Sequence, residues 1–137
     1  MIECNFECLF QDLKFDFDVT IDQMPVKIDD DHWCPIRVDY KYDSAKEDTE
    51  ALFLILSKYY ALGGEFFDLM RTSKPKDVFE KFSDRFGTGK IKKDNDNWEL
   101  IGLWPHIVDF GELCYSSSTE MEIGIVWRYF YAIPNNS

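Results

Sequence analysis

The amino-acid sequence predicts an α+β fold, mainly antiparallel β: a two-sheet β domain with one flanking α-helix and a second, shorter helix. Three observations carry this expectation. Apolar and polar residues alternate strictly near both ends of the chain, the mark of half-buried strands. In the middle the apolar residues recur at helical spacing instead. The order is strands, helix, helix, strands, so like elements are grouped rather than alternated.

Each element can be read in turn. Residues 2–10, read as a strand, put Cys4 and Cys8 on one side, where they pack as inert thiols. In "KFDFDVTI" Phe15, Phe17, Val19 and Ile21 share one face, and Lys14, Asp16, Asp18 and Thr20 the other. "PIRVDYKY" repeats this, with Ile36, Val38, Tyr40 and Tyr42 against Arg37, Asp39 and Lys41. Between them lies a connection with an acidic triplet, Asp29–Asp31, read as solvated. The helix is expected over about Ser44–Leu62. Ser44 and Glu47 form a capping box, Leu52, Leu56, Tyr59 and Tyr60 make the apolar stripe with Ile55 beside it, and Gly63–Gly64 provide the stop. The second helix falls in "SKPKDVFEKFSDRFG", with Ser73 as cap, Pro75 in the first turn, Phe79, Phe82 and Phe86 on one face, and Gly87 as stop. Then "GKIKKDNDNWELIGLW" reads as two strands about an Asp-Asn-Asp-Asn turn. The last run sets Met121, Ile123, Ile125, Trp127, Tyr129 and Tyr131 against Glu122, Gly124, Val126, Arg128, Phe130 and Ala132. Both of its faces turn apolar after Gly124, which requires a strand covered on both sides.

At 137 residues, 45% of them hydrophobic, the chain is expected to fold as a single domain spanning 1–137. Its 26 acidic residues against 15 basic ones give a net charge of −11, a field that repels nucleic acid and anionic membranes. The longest apolar run, Ala51–Leu56, is far too short to span a bilayer, so no membrane partner is expected. No secretory signal is visible at the N-terminus, so the four cysteines read as free thiols.

Residues that could carry chemistry do not combine into a site. His32 and His106 lack metal-ligand partners at helical spacing, and His106 follows Pro105 in what reads as a connection. "DNDNWELIGLWP" has Trp98 and Glu99 where a calcium loop needs a ligand and a glycine. Ser116–Ser118 lack a nucleophile elbow, and "GTGK" lacks most of a phosphate loop. Neither an enzyme, nor a cofactor, nor a metal site follows.

The C-terminal third has a specific layout. An apolar strand ends in "LIGLWP", then comes "HIVDFGELCYSSS", then "TEMEIGIVWRYFYA". This arrangement resembles the tail tube and tube-initiator proteins of contractile-tailed bacteriophages, and the resemblance implies that Trp104-Pro105 closes one strand, Glu112-Leu113-Cys114-Tyr115 forms a short strand, Ser116–Ser118 turns, and Ile125–Tyr131 completes the sheet. The resemblance extends over Val19–Leu62 and Gly89–Ile133 and adds the strand-then-helix join of "PIRVDYKYDSAKEDTEALFLILSKYY". It implies a structural subunit of a virion tail, assembled in the host cytoplasm, in which six copies form a ring and rings stack. Partners would then be further copies, the tail sheath, and baseplate or neck proteins, with DNA passing through an acidic channel unbound. Asp16, Asp18, Asp39 and Glu122 are the candidate channel-facing acids, since each lies opposite an apolar strand face. Trp104, Trp127, Tyr129, Phe130 and Tyr131 are the candidate assembly or core aromatics. The alternative reading is a small acidic inhibitor that mimics DNA against a host nucleic-acid-binding protein. Its acids should cluster on one exposed face.

Overall fold

The computed structural model describes residues 1–26, 31–43, 46–109 and 120–134. Among the described residues there are seven strands: β1 (Ile2–Phe10), β2 (Leu13–Ile21), β3 (Cys34–Asp43), β4 (Gly87–Lys93), β5 (Asp96–Asp109), β6 (Glu120–Tyr129) and β7 (Tyr131–Pro134). They hydrogen-bond in the order β4-β1-β2-β3-β6-β5-β7, and β5 also pairs with β4. Every pairing is antiparallel. The expected antiparallel β fold with helices is therefore present, but the two sheets are not. One sheet closes on itself as a six-stranded barrel, with β7 added beside β5. The cause is the length of β5, whose 14 residues serve several neighbours. Its first half pairs with β4 on one side and β7 on the other, and its second half pairs with β6. Closure removes the open edges that separate sheets would leave.

The alternation read from sequence fixes which side chains fill the barrel. Phe15, Phe17, Val19 and Ile21 of β2 are buried, as are Ile36, Val38, Tyr40 and Tyr42 of β3. Trp127 is 0% exposed and lies against Phe6, Phe10 and Phe15, with ring centroids 5.9–6.4 Å away. Its indole N–H donates to the Tyr40 hydroxyl at 3.0 Å, so the polar atoms of both rings are paired inside the core. Burial pushes the Cys8 thiol far up and the Cys4 thiol up to about 11, which keeps both protonated at neutral pH.

Helix α1 (Glu47–Thr72) lies chiefly against β2, which pairs with β3 only at Val19, Thr20 and Ile21. It buries Leu52, Ile55, Leu56 and Tyr59, whereas Tyr60 is 84% exposed. One residue past Tyr59, a helix has turned by about 100° and left the stripe. Ser44 lies outside the described residues, and the N-cap is Lys46, without a side-chain cap. The acids Glu47, Asp48 and Glu50 complement the helix dipole in the first turn. Gly63 does interrupt the helix, at φ 73° and ψ −169°, but does not end it. A further helical stretch follows to Thr72 because Phe66 and Met70 have an apolar surface to bury against.

Helix α2 (Pro75–Phe82) ends in a 3-10 turn at Ser83–Arg85. Ser73 is the C-cap of α1, and Lys74 is the N-cap of α2. Gly87 opens β4 instead of stopping a helix, and the β4–β5 turn centres on Asp94 at φ 51°. Pro105 does not close its strand. It pairs with Trp127, and the register shifts between Pro105 and Ile107, so His106 sits at a bulge within β5 rather than in a connection. A bulge tolerates a residue with no N–H to give the ladder. The final run bends at Phe130, whose N–H donates to the Ile101 carbonyl at 2.8 Å, and it becomes two strands. The expected short strand Glu112–Tyr115 and turn Ser116–Ser118 lie outside the described residues.

Candidate functional site

Strands whose inner side chains fill a barrel must turn their other side chains outward. On β2, β3 and β6 those are Asp16, Asp18, Thr20, Arg37, Asp39, Lys41, Glu122 and Gly124. The register sets them side by side: Thr20 faces Asp39, Asp39 faces Gly124, and Lys41 faces Glu122. The surface they form is an open concavity of about 800 Å3, also lined by Met1, Glu3 and Asp109. Three of the four acids singled out from sequence, Asp18, Asp39 and Glu122, line it. Asp16 stands beside them on β2. Asn5 of β1 donates through Nδ2 to Asp16 and, at 3.3 Å, to Asp18, which ties the two carboxylates together.

The concavity is not uniformly acidic. Arg37 crosses it, with Nε 3.3 Å from Asp39 Oδ1 and Nη2 3.6 Å from Asp109 Oδ2. The Asp39 charge, with Asp109 adding to it, raises the guanidinium pKa above its ordinary value. Gly124 makes this possible. A Cβ there would come 2.5 Å from Arg37 Nη2 and 2.9 Å from Asp39 Oδ1. Sequence reasoning passed over Arg37, Asp109 and Gly124, although a glycine inside a strand pattern is itself a signal of close approach. Among the described residues no group of three or more His, Cys, Asp or Glu is placed to hold a metal ion. None of the helices is long and apolar enough to cross a membrane.

The aromatic residues singled out from sequence occupy a different part of the molecule. Trp127 and Tyr129 are inside the barrel. Trp104 is 3% and Phe130 8% exposed, and both lie on the barrel's outer surface beneath other parts of the same chain. Phe66 and Phe67 of α1 cover Trp104, with centroids 5.7 and 6.2 Å away. Phe79 of α2 and Trp33 cover Phe130, at 5.3 and 6.2 Å. Tyr131 is half-buried against Phe130. The far half of α1 and α2 thus supply the second cover that the final strand requires.

No protein-family model and no curated protein matches the sequence. Among solved structures, a chain of the anti-feeding prophage (AFP) baseplate, determined by cryo-electron microscopy with six-fold symmetry, superposes with a TM-score of 0.51. The match covers 99% of this chain and 94% of that one, at 10% identity. The fold is shared. A chain of the AFP tube-terminating cap matches with a TM-score of 0.43 at 9% identity, covering 96% of this chain and 88% of that one.

Proposed function

We propose that this chain is a non-enzymatic structural subunit of a phage-like contractile tail machine, in the tube or in a ring that starts, adapts or ends it. The observation that supports this most is the fold shared end to end with a chain of the AFP baseplate. That baseplate structure is six-fold symmetrised, which fits a ring of six copies. A ring needs a heterologous contact that closes by rotation, and stacking the rings extends it into a tube. Asp16, Asp18, Asp39 and Glu122 lie on one outer surface, as a common channel wall requires. Facing a lumen, they would repel phosphate and let DNA pass without being held. Arg37 and Lys41 interrupt the acids on this surface, which fits a wall of moderate charge better than a phosphate-spaced mimic of DNA.

Negative-stain electron microscopy of the purified chain tests the proposal. Rings or tubes with a central hole are expected. Compact isolated particles at every concentration would overturn it and favour the inhibitor reading.

A further inference from the structure

On β6, Arg128 donates through Nε to His106 Nδ1 at 3.2 Å and through Nη1 to the Trp33 carbonyl at 3.4 Å, so its bonds close within the chain. The outer face of α1 is different. Before the break at Gly63 the helix runs from Glu47 to Leu62, about 24 Å. The side opposite its buried stripe carries Glu47, Glu50, Leu54, Lys58 and Ala61, all of them exposed. Leu54, in the middle, is 47% exposed. Among the described residues neither glutamate and not Lys58 takes part in an ion pair.

The order of these residues is self-complementary. Glu47, Ala51, Leu54, Lys58 and Ala61 follow one another at spacings of four, three, four and three, the seam along which two helices pack. Glu50 and Lys58 each lie four residues from Leu54, one on either side. They are two turns apart, too far to pair within one helix. Laid antiparallel on a second copy, with the two Leu54 side chains in contact, each Glu50 meets the other's Lys58. Ala51, Ser57 and Ala61 are small, which lets the two helices approach closely.

The flank of this face adds to the fit. Lys58, Leu62, Asp84 and Arg85 surround an open cleft of about 180 Å3 over Ile55 and Tyr59. It is too small for a cofactor and wide enough for a side chain. Two of its four rim residues are cations. The antiparallel pairing sets the acidic first turn of each helix, Glu47 and Asp48, beside the Arg85 of the other copy.

We propose that the outer face of α1 binds the same face of a second copy, in an antiparallel contact centred on Leu54 with reciprocal Glu50–Lys58 ion pairs. Charge complementarity selects the occupant, because one helix supplies both charges in the order that the contact needs. A two-fold contact of this kind closes on a dimer, whereas a ring needs a heterologous one. The inference therefore stands apart from the assembly reading above.

Sedimentation equilibrium of the full chain over a concentration series tests it. The wild type should pass from monomer to dimer. Glu50→Lys and Lys58→Glu should each weaken the dimer by roughly tenfold, since either change sets like charges opposite each other twice. The double variant should recover the wild-type affinity, because the swap restores both pairs in reverse. General repulsion between acidic chains gives another order: Glu50→Lys, which makes the chain less negative, would then strengthen association and overturn the proposal. Leu54→Asp should abolish the dimer. A wild type that stays monomeric, a dimer indifferent to Leu54→Asp, or a double variant no tighter than the singles would each overturn the proposal too. Rings formed by Leu54→Asp under the electron microscope would support two separate contacts, and rings lost together with the dimer would refute them. Wild-type dimers without rings would support this contact and overturn the assembly reading alone.

Discussion

Gly124 and Gly87 each leave room for a neighbour, but the two neighbours differ in how far they can yield. A Cβ at Gly124 meets the far end of Arg37, an exposed and flexible side chain. A Cβ at Gly87 meets the ring of Phe10, which is buried among Phe15, Tyr59 and Trp127. Gly124→Ala should therefore cost at most about 1 kcal/mol, the worth of an exposed ion pair. Gly87→Ala should cost about 1–3 kcal/mol, as overpacking a filled core does. Chemical denaturation of both variants measures the difference, and equal costs would refute this reading of the two sites. His106 gives a second prediction. Burial lowers its pKa from the ordinary 6.5, and the neighbouring Arg128 charge lowers it further. Below pH 6.5 the unfolded chain takes up a proton that the folded chain resists, so stability falls with pH. This contribution is complete above about 6.5 and is lost as pH drops through the lower folded value. The wild type should thus lose more melting temperature between about pH 7.5 and about pH 5 than His106→Gln, which keeps an acceptor and does not titrate. Equal losses would show that Arg128 does not depend on neutral His106. At this scale the sequence showed which acids face outward, because alternation alone determines that. It hid Arg37–Asp109 and Arg128–His106, because those partners meet only through strand register.

Helix α1 separates buried from exposed apolar residues around its circumference. Leu52 is fully buried against the barrel, and Tyr60 projects into solvent. Leu52→Ala should cost about 2–5 kcal/mol, whereas Tyr60→Ala should change stability by less than about 0.5 kcal/mol. A large loss at Tyr60 would mean that the helix is rotated about its axis. Helical periodicity identified Leu52, Leu56 and Tyr59 correctly, since each lies three or four residues from the next. It misjudged the end of the helix because a glycine marks a break in backbone geometry without revealing whether apolar partners lie beyond. Phe66 and Met70 have such partners. Pro105 was misread for a related reason. The missing N–H rules out an ordinary ladder position but not a bulge, and only the pairing with Trp127 tells the two apart.

Over the whole molecule, strand content and class were legible because a two-residue period survives in any antiparallel sheet. Closure was not, since it depends on which strands meet at long range. Tyr40 and Trp127, hydrogen-bonded at the centre of the core, are 87 residues apart in sequence. Glu3 and Lys93, joined across β1 and β4, are 90 apart. A topology of this kind pays loop-closure entropy before its contacts reward it, so refolding should take milliseconds to seconds. Stopped-flow fluorescence of the buried tryptophans measures it. Complete recovery within microseconds, the time scale of an isolated hairpin, would contradict the closed order of strands.

That separation also bears on synthesis. At roughly 5–20 residues per second, β3 leaves the ribosome several seconds before β6 exists to pair with it. Through that interval the nascent chain carries an unsatisfied strand edge and the aromatic side chains of half a core. On crowded polysomes such edges can pair between neighbouring chains, so the step most exposed to misassembly precedes the birth of the finished subunit.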